Sequence, residues 1–155
     1  MTTPAALPLL ERRRIEANVL VPLIRAMQAE FGAERVNEVV ARSIREIARA
    51  QGAADRERMG VSSLADVSVR LRQGPLAEGS LIVEVVEETP ARFGFNVTRC
   101  RFKEMYEEMG AGDLGFLLSC NRDFAYFAGL APDIGFSRTQ TLMEGAPVCD
   151  FSYGG

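Results

Sequence analysis

Three cysteines, Cys100, Cys120 and Cys149, fall in the last third of a 155-residue chain that contains no histidine. Thiols are the strongest nucleophiles and the softest metal ligands among side chains, so they are the first place to look for chemistry. Within this chain the missing histidine excludes a Ser-His-Asp triad, a Cys-His dyad and a His-ligated zinc site. What remains is thiol, carboxylate, hydroxyl and guanidinium chemistry, with Lys103 the single lysine among 18 basic residues. Asp123 follows Cys120 by three residues, which on a helix puts both on nearly one face. Asp150 follows Cys149 directly, and on a strand the two side chains point to opposite faces, so Asp150 reads as structural, bonding a turn or a nearby loop. A catalytic thiol needs a cation, a helix N-terminus or a base to lower its pKa, and Arg99, Arg101, Arg122 and Arg138 are the cations at hand. Cys100, Cys120, Cys149 and Asp123 also make a conceivable tetrahedral thiolate set. The spacings of 20 and 29 residues and the lack of a C-x-x-C knuckle argue against a metal.

The elements that must position these residues divide the chain in two. Residues 8–31 repeat Ile15, Val19, Leu23, Met27 and Phe31 every four positions, which predicts a helix with a kink or break at Pro22. Residues 33–51 predict a second helix with Val36, Val40, Ile44 and Ile47 on one face, ended by Gly52. A polar connection, 53–60, leads to a helix over 62–73 with Ser63 as its cap. Residues 80–88 and 91–100 predict two strands around a Thr89-Pro90 turn, followed by a helix over 101–110. A helix over 114–129 carries Cys120 mid-way. Strands at 135–145 and 146–153 complete the pattern, with Thr139 and Thr141 on one strand face opposite Cys149. The expected fold is α+β: an N-terminal helical layer packed on a roughly four-stranded antiparallel sheet with two further helices. One domain is expected, with 1–75 as the helical layer and 76–155 as the sheet and site-bearing part.

Composition narrows the partners. The net charge of -3 disfavours a large nucleic-acid surface. The opening residues lack a basic region ahead of their short apolar run, and no stretch approaches the roughly 20 apolar residues of a membrane span. The expectation is a cytoplasmic protein with free thiols that meets neither membrane nor nucleic acid. The two amphipathic N-terminal helices offer more apolar surface than four short strands cover, which points to a homo-oligomeric contact.

The stretch from about 97 to 153 resembles the L-2-amino-thiazoline-4-carboxylic acid hydrolase family. The matching pieces are Val97-Thr-Arg-Cys100, then Met105-Tyr106 with Gly110, Cys120-Asn-Arg-Asp123, Arg138-Thr-Gln-Thr141, and Gly145-Ala-Pro-Val-Cys149-Asp150-Phe151. The resemblance implies ring-opening hydrolysis of L-2-aminothiazoline-4-carboxylate or a similar cyclic isothiourea or amidine, giving N-carbamoyl-cysteine, with a small-molecule substrate and no cofactor. On that reading Cys120 or Cys149 is the nucleophile, with Cys120 preferred because Asp123 shares its face. Asp123 holds the amidinium or acts as base. Arg138 clamps the substrate carboxylate, Thr139 and Thr141 face the substrate, and Cys100 lines the pocket. The alternative is a binding or sensing module, in which the thiols hold a metal, sense redox state or line a small-molecule pocket without turnover.

Overall fold

The computed structural model describes residues 7–154. The first six residues, part of the opening segment discussed above, lie outside the described residues. The elements are α1 (Leu9–Phe31), α2 (Ala33–Met59), α3 (Leu64–Gln73), β1 (Leu81–Glu88), β2 (Arg92–Cys100), α4 (Arg101–Glu108), α5 (Gly112–Leu118), α6 (Asp123–Leu130), β3 (Phe136–Ser137) and β4 (Cys149–Gly154). Short 3₁₀ turns sit at Cys120–Arg122 and Leu142–Glu144. The strands form one antiparallel sheet in the order β1-β2-β4-β3. The α+β class with N-terminal helices is therefore the observed one.

Elements set by local sequence lie where expected. The β1–β2 hairpin pairs Leu81 with Cys100 and Glu88 with Phe93. Ser63 caps α3 in a capping box, its hydroxyl accepting from the Asp66 N–H while the Asp66 carboxylate accepts from the Ser63 N–H at 2.8 Å. Two apolar cores result. One gathers α1, α2, α4 and α5 around Ile24, Met105, Tyr106 and Leu118. The other fills the space between the sheet and α3 and α6 around Val67, Phe95, Leu130 and Tyr153. Leu81 and Cys100 touch both.

Four expectations are corrected. First, α1 runs through Pro22 as one helix and buries Leu10, Ala17 and Ile24 instead of the four-residue stripe. Ile15, Val19, Leu23 and Phe31 are all more than half exposed. The stripe loses because the inner seam must also carry Arg13 and Glu16 toward the second half of the chain. Second, α2 does not stop at Gly52. It continues through the expected polar connection to Met59, and Gly60 closes it in a left-handed conformation. Gly52 lies at the crossing of α2 and α6: a methyl group built on it overlaps the Tyr126 carbonyl oxygen and the Leu130 amide. Gly129 is its counterpart, packed against the Arg49 carbonyl and the Ala53 amide. Here glycine permits backbone contact between two helices; it does not end one. Tyr126 then donates to Asp55 at 2.7 Å, tying the two helices beside the crossing.

Third, the helix expected over 114–129 is broken into α5, a 3₁₀ turn and α6, so Cys120 opens a turn. Fourth, the strand expected over 135–145 is only two residues long, and Thr139 and Thr141 are not on it. The Asp150 carboxylate accepts from the Thr139 and Gln140 amides at 2.8 and 2.9 Å and from the Thr139 hydroxyl. That satisfies the backbone locally and removes it from the sheet ladder.

The crossing yields a sign test. Gly→Ala in a helix interior ordinarily gains about 1 kcal/mol. Gly52→Ala and Gly129→Ala are expected to lose about 1–3 kcal/mol through overpacking. Urea unfolding midpoints measure this, and a stabilised Gly52→Ala would refute the crossing.

Candidate functional site

Residues far apart in sequence meet where the two cores join. Asp123 opens α6, and Arg138 leaves β3. Their side chains form an ion pair between Arg138 Nη1 and Asp123 Oδ2. The break before α6 makes this possible in two ways. In the 3₁₀ turn the Cys120 carbonyl accepts from the Asp123 N–H and also from Arg138 Nη2 at 3.3 Å, and the start of α6 puts Asp123 in the first turn of a helix, where a negative charge is favoured. The turn is pinned to α2 by Asn121, which donates to the Ala41 carbonyl at 3.0 Å and accepts from Arg45 at 3.1 Å.

Arg138 is almost wholly enclosed, its side chain 4% exposed. Its guanidinium carbon stands 5.9, 5.4 and 5.5 Å from the ring centroids of Phe116, Phe124 and Phe151. A guanidinium over aromatic faces gains electrostatically, the more so when dehydrated. The floor beneath is the inward face of the sheet. There Cys149 lies opposite Val97, Phe151 opposite Phe95 and Tyr153 opposite Phe93.

The three thiols border this pair. Cys149 is buried and its Sγ accepts from the Leu142 N–H at 3.2 Å. Cys100 ends β2 and caps α4, its Sγ accepting from the Lys103 N–H at 3.5 Å. Cys120 is half-buried. The three are close enough that each one's ionisation is opposed by another thiol or by Asp123. Burial pushes Cys100 up to about 11. It pushes Cys120 up further, reinforced by the Asp123 charge. Cys149 is also raised by burial, but the Leu142 amide and the Arg138 charge favour its thiolate. All three thiols are thus protonated at neutral pH. Burial likewise lifts Asp123 to about 6, against the pull of Arg138.

Cys100, Cys120, Asp123, Arg138 and Cys149 come together in this way. Thr139 and Thr141 serve the loop around them. The Thr139 hydroxyl donates to Asp150, and the Thr141 hydroxyl donates to Glu144 at 2.8 Å while capping the turn that presents the Leu142 amide to Cys149. Sequence reasoning passed over Phe116, and over the Tyr153 hydroxyl, which is buried with no partner and lies within electrostatic reach of Asp123 and Arg138. An aromatic on an inward strand position reads as core, so only the register could reveal it. Among the described residues, no three His, Cys, Asp or Glu side chains are grouped to hold a metal ion. The grooves at the end of α2, around Arg56–Val61 and Met59–Arg70, share no lining residue with the cluster.

A family model described as L-2-amino-thiazoline-4-carboxylic acid hydrolase matches residues 12–153. No curated protein matches the chain. Among solved structures, the chain is similar to the phenol-responsive sensory domain of the transcription activator PoxR, determined with phenol. The TM-score is 0.52 with 14% sequence identity, over 87% of this chain and 72% of that one. At that identity the likeness speaks for the fold alone.

Asp123 carries a pH signature. Its folded value, about 6, lies above the usual 3.8, so the folded chain binds this proton more readily than the unfolded chain. The resulting stabilisation is complete below the unfolded value and is lost as pH rises through about 6. Asp123→Asn is expected to flatten this part of the stability profile relative to wild type. Denaturation midpoints across pH 3.5 to 7 measure it, and parallel profiles would refute the raised Asp123 carboxyl.

Proposed function

The chain belongs to the L-2-amino-thiazoline-4-carboxylic acid hydrolase family, and from that membership we propose that it opens a small cyclic isothiourea or amidine by hydrolysis, with L-2-aminothiazoline-4-carboxylate as the model substrate. The observation that carries the reading is the convergence of Cys149, Cys120 and Asp123 around the enclosed Arg138. A planar amidinium finds there a carboxylate, aromatic faces and a sulfur nucleophile.

We assign the nucleophile to Cys149. At Cys149 the Leu142 amide bonds the sulfur and the Arg138 charge, which favours the thiolate, outweighs that of Asp123, whereas at Cys120 the Asp123 charge outweighs that of Arg138. Because the thiols rest protonated, the attack begins with proton transfer from sulfur to the ring imine nitrogen of the neutral substrate. This creates an amidinium, which Asp123 pairs with, and a thiolate, which adds to C2. The bond from C2 to the ring sulfur then breaks and that sulfur leaves as a thiolate, which takes a proton. Water adds to C2, the Cys149 sulfur departs, and the oxygen becomes the urea carbonyl of N-carbamoyl-cysteine. Substrate plus one water equals product. Asp123, ionised at neutral pH, orients that water. Arg138 positions Asp123. Cys100 and Cys120 line the pocket, and Thr139 and Thr141 hold the loop that frames it.

A second reading is a small-molecule-binding or sensing domain without turnover. It is favoured by the protonated thiols, which rest without an activating base, and by a fold shared with a sensory domain.

Incubation with L-2-aminothiazoline-4-carboxylate and a panel of cyclic isothioureas and amidines, followed by mass spectrometry, decides between them. Wild type is expected to release the ring-opened urea. Cys149→Ala is expected to lose roughly 10³-fold or more in turnover, Cys100→Ala and Cys120→Ala less. Full turnover in both Cys149→Ala and Cys120→Ala would remove the covalent scheme. Binding without conversion across the panel would favour the sensing domain.

No described helix is long and apolar enough to cross a membrane, and the proposed setting remains the cytoplasm. A second copy is the proposed cover for the exposed Ile15, Val19 and Leu23 stripe, because antiparallel pairing of two α1 helices about Val19 brings Ile15 of each copy onto Leu23 of the other. Light scattering is expected to give a dimer mass for wild type and a monomer mass for Val19→Glu.

A further inference from the structure

The polar cluster continues beneath the thiols, toward α1. Arg122 ends the 3₁₀ turn that Cys120 begins, and its side chain is 9% exposed. Its Nε donates to the Leu118 carbonyl at 2.8 Å, and its Nη2 reaches Glu16 at 3.3 Å. Its Nη1 is buried and has no partner. Leaving a charged donor dehydrated and unpaired is costly, so such groups normally have a partner.

Arg13 shares the same carboxylate. Its Nη1 lies 3.0 Å from each oxygen of Glu16, and its side chain is 12% exposed. Two guanidinium groups on one carboxylate leave a unit of positive charge uncompensated. Burial, and then the Arg13 charge, hold Arg122 below its ordinary value. The charges of Arg13 and Arg122 act on Asp123, and the Cys120 thiol acts on Tyr106 beside them. This positive cluster therefore adjoins the thiols. Arg138 meanwhile has its charge matched by Asp123.

We propose that Arg122 and Arg13 form a binding site for a small carboxylate, and that this site, with Glu16 yielding one of its contacts, holds the carboxylate of the ligand whose ring lies at the thiols. The identity of that ligand rests on the hydrolase reading; the anion site does not. The free Nη1 supplies one charge-assisted hydrogen bond and Arg13 a second.

Three probes test it by NMR titration of the full chain: L-2-aminothiazoline-4-carboxylate, 2-aminothiazoline, which lacks the carboxylate, and acetate, which lacks the ring. Arg13→Gln is expected to weaken both carboxylates by about tenfold or more and to leave 2-aminothiazoline unchanged. Glu16→Gln is expected to tighten both carboxylates, because it removes the competing anion. A network with a merely structural role gives no such gain. Both substitutions fall on partly exposed positions of α1, which keeps them compatible with folding. Weaker or unchanged acetate binding in Glu16→Gln would overturn the proposal, as would equal losses for 2-aminothiazoline and the carboxylates in Arg13→Gln. If acetate follows the expected pattern while the aminothiazoline carboxylate does not bind, the anion site stands and the hydrolase reading falls.

Discussion

The contact between Asp123 and Arg138 constrains the rest of the site. Arg138 is enclosed by protein, and a guanidinium stripped of water is tolerable only with a carboxylate and further acceptors at hand. The segment after β3 must therefore bend over the start of α6, and it leaves the sheet after two residues to do so. Once it leaves, its amides need other partners. Asp150 takes two of them and Cys149 takes the Leu142 amide. The electrostatic demand of one arginine thus ends a strand, sets the role of Asp150 and gives Cys149 its hydrogen-bond donor.

The helices bring the other half of the pair into position. With α6 seated on α2 through backbone contacts at Gly52 and Gly129, the turn before α6 lies against α2 and is fixed there by Asn121. In the 3₁₀ turn before α6 the Cys120 carbonyl accepts from both the Asp123 N–H and Arg138, and Arg122 turns back toward Leu118 and Glu16. Cys100, in contact with both cores, lies on the seam where these contributions meet.

What could be read beforehand follows the range of the forces involved. The hairpin, the Ser63 cap and the helix after Cys100 depend on neighbours within a few residues, and each is where the sequence puts it. The end of α2, the break before α6 and the short β3 depend on partners tens of residues away, so local pattern misjudged them. Gly52 reads as a stop until Gly129 is beside it. The aliphatic stripe of α1 reads as core because its period is right, while the seam actually buried holds Ala17 and admits Arg13 and Glu16. Cys100, Cys120, Asp123, Arg138 and Cys149 were legible as a group because thiols are rare and the motif pieces specific. Nothing in the Arg12-Arg13-Arg14 run sets Arg13 apart; its bond to Glu16 does.

The missing histidine takes on a different meaning in this setting. Histidine is valued because it titrates near neutrality. Burial brings Asp123 to about 6, close to that range, without any histidine. The charge types differ, however. An ionised carboxylate raises the pKa of nearby thiols, whereas a histidinium lowers it, and all three thiols here are raised, by burial first and by the Asp123 charge in addition. A site so constituted holds its nucleophile protonated until something basic enters. On the proposed reading that base is the ring nitrogen of the substrate: it takes the thiol proton, becomes the cation Asp123 is placed to hold, and so makes the electrophile and the nucleophile in one transfer. A heterocycle without such a nitrogen would meet an unreactive thiol, which makes substrate basicity the first element of specificity.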